Sequence, residues 1–228
     1  MRKAGGTTAR RVLAKISEIH GIEFCAREGQ PLDQDDLDEE TFVVMNIRHP
    51  FDRTCSLFND QGLWRGHDQH ERTRVFDEWL TGEHCLPSAP PLWLLPRNLC
   101  VRTLANCRQT KAESYRDSNK EMTQADYHAA LVNLRHIHLV WICDWLKFKP
   151  YCEYLSSRLL GPGKGLIHFP HYNQTVWRHS FDIRLELQPH QIEAVRQANR
   201  WDMELYQYAC CQAAQAAGIE WPTGGNHY

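Results

Sequence analysis

The pattern of apolar and polar positions divides the chain into short helical and strand-like stretches. Val12, Leu13, Ile16 and Ile19 recur at three- and four-residue steps, which predicts a helix running up to His20-Gly21. A short apolar segment, Ile22 to Ala26, reads as a strand. Phe42-Val43-Val44-Met45-Asn46-Ile47 is almost continuously apolar and β-branched, the pattern of a strand covered on both faces in a parallel sheet. Pro50 just beyond it suits the first turn of a helix, where a missing N–H leaves no bond unmade. Leu139-Val140-Trp141-Ile142 reads as a second buried strand, and a helix is expected between Asp144 and Leu160.

The remaining helical signals are a segment from Arg72 to Leu80 and a start at Thr123. Thr123 with Asp126 can cap free backbone N–H groups, and Tyr127, Ala130, Leu131, Leu134 and Ile137 then form one apolar stripe. A long C-terminal helix carries Ile192, Val195, Met203, Tyr206, Cys210 and Ala213 on one face and is interrupted by Asn199. Between these lie an acidic run from Asp33 to Glu40 and an irregular stretch from Gly62 to Pro96 around the Arg72–Leu80 helix. Alternating strands and helices predict an α/β fold with a mostly parallel sheet. The 228 residues fit a single domain.

Composition narrows the function classes. Lysine plus arginine is 26 against 28 acidic residues, a balance that argues against a nucleic-acid binder. No apolar run approaches the ~18 residues of a membrane-spanning helix. Nine cysteines contain no C-x-x-C pair, so zinc-ribbon spacing is absent, and the sequence leaves thiols and disulfides both open. His67 with His70 and His136 with His138 have no third ligand at a usual spacing.

Two stretches carry chemistry. Lys3-Ala4-Gly5-Gly6-Thr7-Thr8 opens a helix, and glycines there let successive N–H groups converge on one anion at the positive end of the helix dipole. It is not a nucleoside-triphosphate loop, because the lysine precedes the glycines. Arg48 follows the first buried strand, and Ser56 lies within the next helix. Ligands of open α/β sheets bind at the carboxyl ends of strands, where arginine clamps phosphate through charge-assisted hydrogen bonds. Two such clamps in order suggest a nucleotide phosphorylated at both ends.

These stretches resemble the sulfotransferases. Lys3 to Thr8 is similar to their 5′-phosphosulfate loop, and Arg48-His49-Pro50-Phe51-Asp52-Arg53-Thr54-Cys55-Ser56 to their R-x-P-x-x-R-x-x-S 3′-phosphate motif. Asn98-Leu99-Cys100-Val101-Arg102-Thr103-Leu104, the stretch Leu139 to Leu160, Asn173-Gln174-Thr175 and Asp202-x-x-Leu205-Tyr206 resemble the Golgi carbohydrate (uronyl 2-O-like) sulfotransferases, in order along most of the chain.

The resemblance implies a three-layer, P-loop-like α/β fold and sulfuryl transfer from 3′-phosphoadenosine-5′-phosphosulfate (PAPS) to a carbohydrate hydroxyl, in the Golgi lumen. It implies Lys3 at the bridging oxygen of the leaving group, and Gly5, Gly6, Thr7 and Thr8 with Ala4 around the 5′-phosphate. Arg48 and Ser56 would hold the 3′-phosphate. No metal is expected, since lysine and loop supply the positive charge. The general base it requires is Glu28, with His20, Glu23 and His49 as competitors.

The family also places a hydrophobic strand before the loop. Here the expectation is one sulfotransferase-like domain over residues 1–228 without that strand. Arg65, Arg74, Arg97 and Arg102 with Trp64, Trp79 and Trp93 are candidates for lining a glycan groove, or else scattered surface and core residues. Gly163-Lys164-Gly165 is a further candidate nucleotide contact. The alternatives are a non-catalytic nucleotide- or glycan-binding relative and a P-loop kinase, for which Asp144 is the nearest candidate magnesium ligand.

Overall fold

Two short parallel strands, β1 (Val44–Ile47) and β2 (Leu139–Ile142), pair from Val44↔Leu139 to Ile47↔Ile142 in the computed structural model, which describes residues 6–26, 41–81, 97–105, 121–165, 167 and 181–220. Their apolar composition is used as expected: Met45, Ile47, Leu139, Trp141 and Ile142 are buried. Just ahead of the ladder, the Val43 carbonyl accepts from the N–H groups of His138 and Leu139, and the Val43 N–H donates to His138 Nδ1 at 3.0 Å.

The helices around this pair are α1 (Gly6–His20), α2 (Pro50–Gln61), α3 (Gln69–Thr81), α4 (Leu99–Ala105), α5 (Gln124–Leu134), α6 (Lys149–Leu160), α7 (Pro189–Ala198) and α8 (Arg200–Ala217). Single 3₁₀ turns follow β2 (Cys143–Trp145) and precede α7 (Ile183–Leu185). The described chain is therefore rich in α-helix with a small parallel two-stranded sheet, compatible with the α/β expectation.

Local chemistry sets several boundaries. Pro50 occupies the first turn of α2, and Gly62 closes that helix in the left-handed region at φ 69°. Thr123 and Asp126 form the reciprocal cap of α5, with Asp126 N–H donating to Thr123 Oγ1 and Thr123 N–H to Asp126 Oδ2.

The expected strand at Ile22–Ala26 does not form. Gly21 adopts φ 64°, and the Ile22 N–H turns back to the Ser17 carbonyl while Ser17 Oγ donates to the Ile22 carbonyl. Both polar groups of Ile22 thus close the end of α1 instead of joining a ladder. Its side chain is 63% exposed. Of the apolar positions on α1, Ala9 and Val12 are buried, and Ile19 reaches solvent.

Two apolar clusters result. One joins Ala9 and Val12 of α1 to both strands, α4, α5, α6 and α8, with Trp141, Tyr151 and Leu205 near its centre. The other lies between α2, α3 and the segment leading into α7, where Phe58 meets Phe76 edge-on at 5.0 Å and packs on Trp79.

Between the clusters runs a buried polar network. Asn199, fully buried, breaks the predicted C-terminal helix into α7 and α8. Its Oδ1 accepts the Asn98 N–H at 3.0 Å, and its Nδ2 donates to the Val195 carbonyl and Thr54 Oγ1. Asp202, also fully buried, accepts the N–H groups of Cys100 at 2.9 Å and Val101 at 2.8 Å. Its own N–H donates to Asn98 Oδ1. Asn98 sits at φ 46°, a left-handed conformation that asparagine tolerates better than most residues. Arg53 of α2 is the buried cation whose field reaches Asp202. Burial pushes the arginine down and the carboxyl up, and their mutual attraction opposes both shifts.

Two stability predictions follow from these contacts. Arg53→Met removes the buried cation whose field opposes the rise of the Asp202 carboxyl, and urea unfolding is expected to show a loss on the order of 2 kcal/mol or more. The second concerns Asp182, which bonds Arg184 and Asn59 while Arg184 also bridges to Asp52 at 2.8 Å. Burial alone would raise the Asp182 carboxyl, but Arg184 and Asn59 outweigh it and hold it below the usual 3.8. A lowered carboxylate stabilises the fold above its unfolded value and ceases to do so as pH falls through its folded value. Asp182→Asn is expected to lower stability by about 1–2 kcal/mol at pH 7. Its difference from wild type should close in thermal scans taken progressively below 3.8.

Candidate functional site

Because β1 and β2 are parallel, their carboxyl ends meet at one edge, and the residues that follow each strand face the same corner. Arg48 follows β1 and Asp144 lies in the 3₁₀ turn that follows β2. Arg48 Nε stands 3.6 Å from Asp144 Oδ1, with the two side chains 26% and 28% exposed. Asp144 Oδ2 accepts the His49 backbone N–H at 2.7 Å and the Tyr206 hydroxyl of α8 at 3.0 Å. The His49 ring meets the Tyr206 ring edge-on at 5.3 Å. Burial, then the neighbouring Asp144, pushes the Tyr206 phenol far up, so it stays protonated and donates.

The corner thus holds a half-buried guanidinium at the start of α2, whose N-terminus adds its positive dipole end. A carboxylate and a phenol complete it. Chemically the arrangement offers charge-assisted hydrogen bonds to an anion, with Asp144 setting the direction of the arginine.

Other expected site residues fall in different places. Ser56 is half-buried on α2, six residues past Pro50 and so about 9 Å along the helix axis. Gly6 opens α1, and Thr8 is buried in its first turn. Lys3, Ala4, Gly5 and Glu28 lie outside the described residues, as do Trp93 and the Asn173-Gln174-Thr175 segment. His20 stands at the far end of α1, about 21 Å along the helix from Gly6, and is exposed with Glu23. A rigid helix keeps His20 away from anything bound at the Gly6 end. Of the base candidates, His49 is the one the described fold brings beside Arg48. Lys164, with Gly163 at φ 74°, is exposed beyond α6.

The groove residues separate. Trp79 and Arg102 are buried, Trp79 in the second apolar cluster and Arg102 donating through Nε to the Arg97 carbonyl. Neither is available to a ligand at the surface. Arg74 pairs with Glu78, and Arg65 lies over Trp64, which packs on Phe181. Of the histidines, His138 accepts the Val43 N–H and His67 faces Glu71 at 3.5 Å. Among the described residues no group of three or more His, Cys, Asp or Glu side chains is placed to share a metal ion. No described helix is long and apolar enough to cross a membrane.

The contribution of Tyr206 and the full part played by Asp144 escaped the sequence reading. Asp144 was legible by one rule: it follows the second buried strand as Arg48 follows the first. Tyr206 was marked only by its place on the apolar stripe and in the Asp202-x-x-Leu205-Tyr206 stretch of the resemblance, and neither pairs it with Arg48.

Compared with known proteins, the chain matches no protein-family model, no curated sequence and no solved structure.

The thiols around the corner are chemically quiet. Burial pushes Cys143 and Cys210 well above the usual thiol value, as it does Cys55 and Cys100 elsewhere, whereas Cys25 and Cys211 are exposed. Alkylation of the folded protein at pH 8, read by peptide mass spectrometry, should label Cys25 and Cys211 first among the described cysteines. The buried thiols Cys55, Cys100 and Cys210 should react about 100-fold more slowly until the chain is unfolded.

Proposed function

We propose that the chain binds a nucleotide phosphorylated at both ends and transfers the sulfuryl group of PAPS to a carbohydrate hydroxyl. The observation that carries this reading is Arg48 at the carboxyl end of a parallel strand, braced by Asp144 and followed at once by a Pro50-led helix bearing Ser56. The order of these residues is the R-x-P-x-x-R-x-x-S pattern that the resemblance assigns to a 3′-phosphate. The same reading takes the sheet as part of a three-layer P-loop-like domain and the Golgi lumen as its compartment, both by resemblance.

In this reading PAPS supplies the activated sulfuryl group, and the protein supplies position and charge. Arg48 and Ser56 hold the 3′-phosphate and so select this nucleotide over AMP or ATP. The backbone N–H groups of Gly5, Gly6, Thr7 and Thr8 hold the 5′-phosphate with Lys3 beside the leaving oxygen, where negative charge builds in an in-line transfer. Glu28 takes the acceptor's proton. With lysine and loop supplying the positive charge, no magnesium is needed.

Calorimetric titration with 3′,5′-bisphosphoadenosine and with AMP, in EDTA, tests the reading. Wild type should bind the bisphosphate at least about tenfold more tightly, the size of a charge-assisted hydrogen bond, and Arg48→Ala should lose that preference. Equal binding of both nucleotides by folded protein would overturn it. Preferential binding with no transfer of labelled sulfate to any glycan would favour a non-catalytic relative.

A further inference from the structure

We infer that Asp144 and Tyr206 are positioning residues that aim Arg48 at the 3′-phosphate, a role that rests on the bisphosphate reading above. An arginine side chain has four rotatable bonds, and much of its value to a ligand is lost if those bonds must be fixed on binding. Asp144 removes that freedom from the Nε side. At 3.6 Å the contact is one of charge rather than a hydrogen bond, and it holds the guanidinium by its Nε edge.

The carboxylate is itself immobilised. Oδ2 accepts from the His49 N–H and from the Tyr206 hydroxyl, and Oδ1 faces Arg48. His49 is the residue between Arg48 and Pro50, so one carboxylate fixes both the arginine side chain and the backbone that leads from β1 into α2. Tyr206 brings α8 into the same arrangement. Its phenol donates to the same Asp144 oxygen as the His49 N–H, and its ring packs edge-on against His49. Three elements distant in sequence therefore converge on the direction of one guanidinium.

The test is a double-mutant cycle read as the ratio of bisphosphate to AMP affinity, with AMP as the internal reference for each variant and circular dichroism to confirm folding. Asp144→Ala should cut the ratio about tenfold in the wild-type background and leave it unchanged in the Arg48→Ala background, since the carboxylate acts through the arginine. Tyr206→Phe, a milder change that keeps the ring, should cut it about threefold. Asp144→Asn, which keeps an acceptor for His49 and Tyr206, should fall between wild type and Asp144→Ala.

A purely structural role would lower melting temperature without moving the ratio, and that result would overturn the proposal. So would a rise in the ratio in Asp144→Ala, which would make the carboxylate a repulsive neighbour of phosphate. Wild type without any preference for the bisphosphate would remove the functional reading and this role together. A wild-type preference insensitive to Asp144 and Tyr206 would remove the positioning role alone.

Discussion

The buried charge of Asp202 is the constraint on which the arrangement of helices depends. A carboxylate removed from water is tolerated only where donors and a cation surround it. Here the donors are the first N–H groups of α4, and the cation is Arg53, inside the helix that follows β1. The acid on α8 thereby fixes α4 against α8, and its field acts on α2. Asn199 and Asn98 extend the same logic, closing the α7–α8 junction on the loop before α4 and on Thr54. Such a network stabilises one relative placement of these helices far more than it stabilises alternatives, because any shift leaves several buried polar groups unmatched.

The corner beyond the strands inherits its rigidity from this frame. Arg48 lies five residues before Arg53, and Tyr206 one helical turn after Asp202. The network thus anchors α2 and α8 close to the points where they present Arg48 and Tyr206. Asp144 then links Arg48 and Tyr206, the half-buried groups that these two helices carry toward the strand ends. The polar seam so formed is almost wholly enclosed at Arg53 and Asp202 and partly open to solvent at Arg48.

Much of the local structure was legible from sequence for simple reasons. Apolar β-branched runs marked β1 and β2, periodic apolar positions marked α1 and α5, and Thr123 with Asp126 marked a helix start. Each depends on neighbours within a turn or a strand, so a local pattern suffices. The strand expected at Ile22–Ala26 failed because Gly21 could take a left-handed turn and recruit Ile22 as a helix closure. A short apolar segment satisfies either demand, and its own residues do not choose.

By itself, then, the sequence determined the order and type of most elements, the Pro50-led helix after β1 and the presence of an arginine at a strand's carboxyl end. Only the tertiary structure decided that Trp79 and Arg102 are core residues rather than walls of a groove, and that His20 and Gly6 stand at opposite ends of one helix. It also decided that Asp144 and Tyr206 are the partners of the Arg48 corner, 62 residues apart and each on a different element. The physical reason is range: helix and strand periodicity is written every few residues, whereas the pairing of buried or half-buried charges depends on which distant elements share a surface. No local pattern encodes that.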